Sequence, residues 1–326
     1  MMPTATIPGS DRNTTALGFG GNALLGAKSR REGLALLAAA YDSGIRHFDT
    51  ARAYSSGDAE GLLGEFLSQG GRRDTVTITT KFGLQPPSGG VARMRWVKSL
   101  ARKIMRLSPG LKKAISAKSG QMVRRGAFSV DDARASFEVS LRELRTDRVD
   151  LLLLHEASAA DCTPDLRSFL DAARHDGRIG EYGVGSRFER VGEILRDRPE
   201  FARVVQFESS AVHPNREVLG AAVPFAITHG AIGGSFGELR ELLRARPETL
   251  RTWSDALDLD LANAGTLAPL MLAHAASANP GGIVLFSSTR PEAIRENVRA
   301  VVEGRFAIDQ IQRFGALARG AFARED

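Results

Sequence analysis

Four side chains able to handle a proton together stand out in the sequence: Asp49, Tyr54, Lys81 and His155. A free phenol ionises near pH ~10 and is a sluggish acid or base at neutral pH. A neighbouring ammonium lowers that value. Lys81 beside Tyr54 would stabilise the phenolate, Asp49 would hold Lys81 charged and oriented, and His155 would position a substrate oxygen or share its proton. This is equipment for reducing a carbonyl or oxidising an alcohol, with Tyr54 as general acid or base. Each residue alone has a plainer reading: a capping Asp, a solvated Lys, a packing Tyr, a hydrogen-bonding His. The weight lies in their coincidence at successive predicted strand ends.

The elements that must position them follow from the apolar pattern. Short apolar runs alternate with amphipathic stretches along the whole chain, as repeated strand–helix units around a parallel sheet require. The runs are Ala16–Gly20, Ile45–Asp49, Thr75–Lys81, Val149–His155, Glu181–Gly185, Val204–Glu208, Val223–Thr228 and Ile283–Ser287. Between them Gly33–Ser43, Ala59–Gln69, Val130–Leu144, Leu166–His175, Phe188–Asp197 and Pro291–Val302 place apolar residues three and four apart, the period of a helix. Eight strands with intervening helices predict an α/β fold, a single (β/α)₈ TIM barrel over residues 1–326. Such a barrel gathers its chemistry at the carboxyl ends of its strands. Asp49, Lys81 and His155 end the second, third and fourth strands, and Tyr54 lies in the loop after the second.

Two stretches interrupt this rhythm. Residues 83–128 form a basic insertion after the third strand, and Gly233–Asn263 is expected to be an irregular excursion after the seventh. Ser129 followed by Asp132 reads as a capping box that starts the third helix. Between Val91 and Phe128 lie eleven Lys and Arg and no Asp or Glu, against +6 for the whole chain, so the remainder is acidic. A basic footprint spread over a binding face is therefore absent, and nucleic acid is not the expected partner. Within the insertion Val97, Leu100, Ile104, Leu107, Leu111 and Ile115 recur at helical spacing, broken at Pro109-Gly110. Three readings stay open for residues 91–127: a lid over the catalytic mouth, a dock for an acidic partner or anionic membrane surface, and a solvated loop.

The single cysteine, Cys162, allows no intramolecular disulfide and fits a reducing compartment. No stretch reaches the roughly 20 apolar residues that span a bilayer, and the first 14 residues carry no apolar signal run. The expectation is a cytoplasmic protein. No set of His and carboxylates has zinc spacing, so no metal is expected. No Gly-rich dinucleotide fingerprint follows a strand and opens a helix, which disfavours a doubly wound oxidoreductase.

The segment Gly44-Ile-Arg-His-Phe-Asp-Thr-Ala-Arg-Ala-Tyr54, continuing to Glu60 and Leu63-Gly64, resembles the signature of the aldo-keto reductases. Thr79-Thr-Lys81-Phe-Gly83 resembles the strand presenting that family's lysine, and Asp150-Leu-Leu-Leu-Leu-His155 the strand presenting its histidine. By resemblance Asp49, Tyr54, Lys81 and His155 form the catalytic tetrad of a hydride-transferring oxidoreductase acting on an aldehyde, ketone or sugar.

The resemblance also implies a nicotinamide cofactor. Gly183-Val-Gly-Ser186 stands where the family holds the carboxamide with Ser and Asn, so Ser186 remains and the Asn amide is missing. Val204-Val-Gln206 resembles the strand supplying a second carboxamide ligand, and because a Gln inside an apolar strand is costly unless paired, a ligand role is favoured over a local backbone bond. His229 falls where the family stacks an aromatic ring, and it also reads as a surface-loop histidine. Gly21, in the cluster after the first strand, is a candidate cofactor contact, with an ordinary turn as the plainer reading. Phe286-Ser-Ser-Thr-Arg290-Pro-Glu-Ala-Ile-Arg-Glu-Asn297 resembles the adenosine-phosphate segment, with Ser287, Ser288 and Arg290 at the mouth and Asn297 reaching adenine. A helix start with hydroxyls and a guanidinium suits a phosphate, and an ordinary N-cap is the alternative. The usual Arg for the 2′-phosphate appears as Ala293 and the usual Lys as Ser287. NADPH is expected through Arg290, with NADH as the alternative. A small carbonyl or alcohol is the expected partner. The competing reading is a nicotinamide-binding regulatory or scaffolding subunit of weak catalysis on the same barrel.

Overall fold

A computed structural model of the chain describes residues 2–9, 12–27, 29–85, 126–220 and 223–322. Nearly all of the basic insertion, with the lid and docking expectations attached to it, lies outside the described residues.

Strands β3 (Leu17–Gly20), β4 (His47–Asp49), β5 (Thr77–Phe82), β6 (Val149–His155), β7 (Ile179–Gly185), β8 (Val205–Glu208), β9 (Ala226–His229) and β10 (Ile283–Phe286) follow the eight predicted runs. They close in the order β10-β3-β4-β5-β6-β7-β8-β9, every neighbouring pair parallel. The barrel forms because these strands are buried on both faces, and most of them are apolar on both. In β6, Leu152 and Leu154 join the core between barrel and helices, while Leu151 and Leu153 point into the lumen with Val204, Ile227, Ile283 and Leu285. Removing one such leucine side chain would cost about 2–5 kcal/mol. A hairpin that the sequence reading did not anticipate, β1 (Thr4–Thr6) and β2 (Asn13–Thr15), contributes Ala5 and Ile7 to the lumen cluster and closes the end opposite the strand carboxyl ends.

The surrounding helices are α1 (Arg30–Asp42), α2 (Asp58–Leu67), α3 (Val130–Leu144), α4 (Pro164–His175), α5 (Phe188–Asp197), the short α6 (Asn215–Leu219), α7 (Gly233–Ala245), α8 (Pro247–Leu257), α9 (Ala264–Ala278), α10 (Pro291–Val302) and α11 (Ile308–Phe322). Ser129 caps α3 as expected, its hydroxyl accepting from Asp132 N at 3.1 Å. The expectation of an irregular excursion at Gly233–Asn263 is corrected: most of it is the two helices α7 and α8. Gly233-Gly234 and Pro247 read locally as loop formers, yet both stand at helix starts, where a proline lacks no needed N–H. Leu239, Leu243, Trp253 and Leu257 then pack in a second core with residues of α9 and α11. Tertiary burial outweighs the local signals. Among the described residues no helix is long and apolar enough to cross a membrane.

Candidate active site

Three parallel neighbours bring the polar residues to one mouth. Asp49 pairs in register with Thr79, Lys81 with Leu153 and His155 with Gly185. Strand alternation turns His47 and Asp49 of β4, and Thr77, Thr79 and Lys81 of β5, toward the lumen. Asp49 and Lys81 are each 2% exposed.

Lys81 Nζ donates to Asp49 Oδ1 at 2.7 Å and Oδ2 at 2.8 Å, to the Thr50 carbonyl at 3.0 Å and to the Tyr54 hydroxyl at 3.2 Å. Four acceptors surround three ammonium protons. Burial opposes the Lys81 charge, but Asp49 and then Tyr54 outweigh it and hold the amine above its usual value. Burial pushes the Asp49 carboxyl up, against the ammonium and the Gln206 amide that favour its charged form. A buried ion pair stabilises a fold poorly, because taking both charges out of water offsets most of their attraction. Its presence at a strand-end mouth points to chemistry.

Tyr54 opens a short 3₁₀ turn, Tyr54–Gly57, and its backbone N–H donates to Ala51 O at 3.0 Å. Its ring meets that of His155 edge-on, centroids 5.7 Å apart at 86°. The expectation that Lys81 lowers the phenol needs correction. Burial dominates and raises Tyr54, with Lys81 pulling down against it. The phenol therefore stays protonated through neutral pH. Burial, then the charges of Lys81 and His229, push His155 down to about 3, so its imidazole is neutral there.

On the far side of the lumen Gln206 Nε2 donates to Asp49 Oδ2 at 3.0 Å, a link across 157 positions that the sequence did not signal. That bond turns Oε1 away from the carboxylate, and Oε1 is buried without a partner. A Cβ on Gly185 would sit 3.1 Å from it, so a side chain at that position would crowd the acceptor. Such an orphaned acceptor fits the amide N–H of a nicotinamide carboxamide. Ser186 is buried and its hydroxyl donates to Ala157 O at 3.1 Å, which leaves it lone pairs to offer. Gly21 has room for no side chain, since a Cβ there would lie 2.9 Å from the Asp49 carbonyl.

The other predicted cofactor residues share this end of the barrel without a hydrogen bond to the Asp49–Lys81 pair. His229 ends β9, exposed at the mouth. Beyond β10, Ser287 and Arg290 are exposed and Ser288 is half-buried, its Oγ accepting from Arg290 N at 3.1 Å. No side chain caps α10, which leaves its first-turn N–H groups available to an anion. Asn297 is buried one face along that helix. Gly26 packs so closely on Thr289 that a Cβ would meet its Cγ2 at 2.6 Å, which joins the loop after β3 to the loop after β10. The Thr50 carbonyl on Lys81 was missed too, because a backbone acceptor leaves no mark in residue type. Among the described residues no group of three or more His, Cys, Asp or Glu is placed to hold a metal.

A family model described as the aldo/keto reductase family matches residues 16–319. The chain belongs to the aldo/keto reductase family. An aldo-keto reductase from Bacillus halodurans in its holo form shares the fold with a TM-score of 0.67 at 20% identity, covering 96% of each chain. A glycerol dehydrogenase from Gluconobacter oxydans does so with a TM-score of 0.70 at 16% identity, covering 99% of this chain and 97% of its own. In sequence, D-threo-aldose 1-dehydrogenase of a Pseudomonas species is 35% identical over 179 residues, 52% of this chain and 50% of that protein. Pyridoxal 4-dehydrogenase of Microbacterium luteolum is 33% identical over 184 residues, 55% of this chain and 48% of its own length. The chain thus spans about half the length of the curated relatives it matches. Against solved aldo-keto reductases the likeness runs over almost the whole chain, and it is the barrel that is shared.

Proposed function

We propose that this aldo/keto reductase transfers a hydride between NADPH and the carbonyl or alcohol carbon of a small molecule, with Tyr54 as the proton donor or acceptor. The observation that carries the reading is the Tyr54 hydroxyl 3.2 Å from an ammonium whose remaining protons are engaged by Asp49 and Thr50. Lys81 has no proton left for a substrate, and neutral His155 is a hydrogen-bond donor rather than an acid. Tyr54 is the proton source that remains. When it gives up its proton, Lys81 stabilises the phenolate, and Asp49 keeps Lys81 charged and aimed. His155 would fix and polarise the substrate oxygen beside the Tyr54 ring.

The bound nicotinamide would supply or receive the hydride. Gln206 Oε1 and Ser186 would hold its carboxamide, with Gly21 and His229 against the cofactor at the mouth. Ser287, Ser288, Arg290 and the start of α10 would take the phosphates, and Asn297 the adenine. Arg290 favours the extra phosphate of NADPH over NADH. The names of the relatives, an aldose dehydrogenase, a pyridoxal dehydrogenase and a glycerol dehydrogenase, share a small polar aldehyde or alcohol as the substrate class. Turnover of NADPH with a panel of such aldehydes, compared between the parent and Tyr54→Phe, tests the reading. Activity is expected only with Tyr54 present, and tight cofactor binding with no turnover on any substrate would favour a regulatory subunit instead.

A further inference from the structure

Glu60 of α2 is a fully buried carboxylate outside the lumen. The side chains around it come from three other segments. Thr80 Oγ1 donates to Glu60 Oε1 at 2.6 Å, Arg52 Nη1 donates to Oε2 at 3.3 Å, and Ser140 of α3 lies close enough to favour the charged carboxylate. Thr80 is the outward-facing neighbour of Lys81 on β5. Arg52 lies two residues before Tyr54 in the loop after β4. One carboxylate therefore ties the strand that presents the ammonium to the loop that presents the phenol.

The anchor itself has little freedom. A Cβ on Gly64 would fall 2.1 Å from the Glu143 carbonyl, so α2 and α3 pack backbone to backbone. Burial pushes the Glu60 carboxyl up, against the pull of Thr80 and Arg52, so an acidic group in such an interface is costly and an apolar side chain of similar volume would stabilise the packing at least as well. Stability does not account for a carboxylate here. Geometry does, because proton transfer and phenolate stabilisation fall away steeply when donor and acceptor drift by an ångström.

We propose that Glu60 is a positioning residue that fixes the Tyr54–Lys81 separation by bracing Arg52 and Thr80 at once. The proposal rests on Tyr54 and Lys81 acting as described above. Glu60 touches no substrate or cofactor and acts only through the two segments it holds.

The test compares E60Q, T80V, T80S and R52M in the full chain. Cofactor-binding sites per chain are counted by NADPH fluorescence titration, and kcat per site, KM and the pH profile of kcat are measured. E60Q keeps an acceptor for Thr80 and turns an amide against Arg52, while T80V removes the hydroxyl. Both are expected to lower kcat per site ~10-fold or more, with KM within ~3-fold and a displaced alkaline limb of the profile. T80S, which keeps the hydroxyl, should stay within ~2-fold of the parent. If E60Q does not fold, R52M reports the same link from a loop position and should show the same pattern. Parental kcat per site and pH profile in E60Q, or in R52M where E60Q fails to fold, would overturn the proposal. So would a loss confined to the number of binding sites, since that marks a role in folding only. Y54F serves as the control: unchanged turnover there would remove the functional reading itself, a different failure from an inert Glu60.

Discussion

On the β4–β6 side of the mouth, Lys81 alone meets four oxygen acceptors within 3.2 Å. On the β8–β10 side, Gln206 Oε1 is buried without a partner and α10 begins with no side-chain cap. The Asp49–Lys81 pair is closed on itself, whereas the second side has open hydrogen-bonding capacity, as do His155 Nδ1 and Thr50 Oγ1 beside the pair. In the proposed reaction this difference has a simple cause. Groups that move a proton must hold one geometry through every turnover, so their bonds are made within the protein. Groups that hold an exchangeable cofactor keep their bonds for it.

The comparison breaks most decisively at Tyr54. Tyr54→Phe should lower kcat by ~10²–10⁴-fold while NADPH affinity, read by fluorescence titration, stays within a small factor, because only the transition state loses the proton transfer. Lys81→Met should act alike and, by removing the pull that opposes burial, should move the Tyr54 phenol further up in ultraviolet titration. Turnover near the parental value in either variant would separate the closed side from the chemistry.

On the open side the loss should appear in binding. Arg290→Ala should weaken NADPH by about 1.5–3 kcal/mol and NADH hardly at all, if the guanidinium meets the 2′-phosphate. Equal losses would show that Arg290 does not distinguish the two, and tighter NADH than NADPH in the parent would reverse the cofactor assignment. Gln206→Leu should weaken both cofactors by about 1–2 kcal/mol, the value of a carboxamide hydrogen bond and independent of the 2′-phosphate. A fall in kcat alone would move Gln206 to the closed side, where its bond to Asp49 already reaches.

The smallest expected effect is an absence. With His155 pushed down to about 3, kcat should show no imidazole inflection between pH 5 and 8. An inflection near ~6.5 that vanishes in His155→Gln would mean that this histidine shares the proton after all. Stability carries the same signature with a definite sign. The folded-state value lies below that of unfolded imidazole, so as pH falls from ~6.5 toward 3 the proton binds the unfolded chain preferentially. The His155 contribution is complete above that window and lost within it, and His155→Gln should flatten the fall of Tm with pH.

Much of this was legible before any coordinates. The apolar runs located the eight strands because strands buried on both faces need continuous apolar sequence, and Asp49, Lys81 and His155 stood at their ends. The capping residue Ser129 was readable because its bond is local. Elements whose signals depend on distant partners were less legible. The helices α7 and α8 start at Gly233 and Pro247, residues that favour loops until Leu239, Leu243, Trp253 and Leu257 are buried. The hairpin β1–β2 is short and polar in sequence, and it is ordered by closing the lumen with Ala5 and Ile7.

Residue type and spacing, then, determined the strands, most of the helices and the identity of the four residues that could do chemistry. What the tertiary structure decided was their electrostatics and their partners. Tyr54 carries a raised phenol, not a lowered one, because burial there exceeds the pull of Lys81. Gln206 reaches Asp49, and Glu60 joins Thr80 to Arg52. Such contacts arise only when a closed barrel brings distant strands to one lumen and seats each helix on its strands, and desolvation, which raises Tyr54 and lowers His155, has no counterpart in the linear chain.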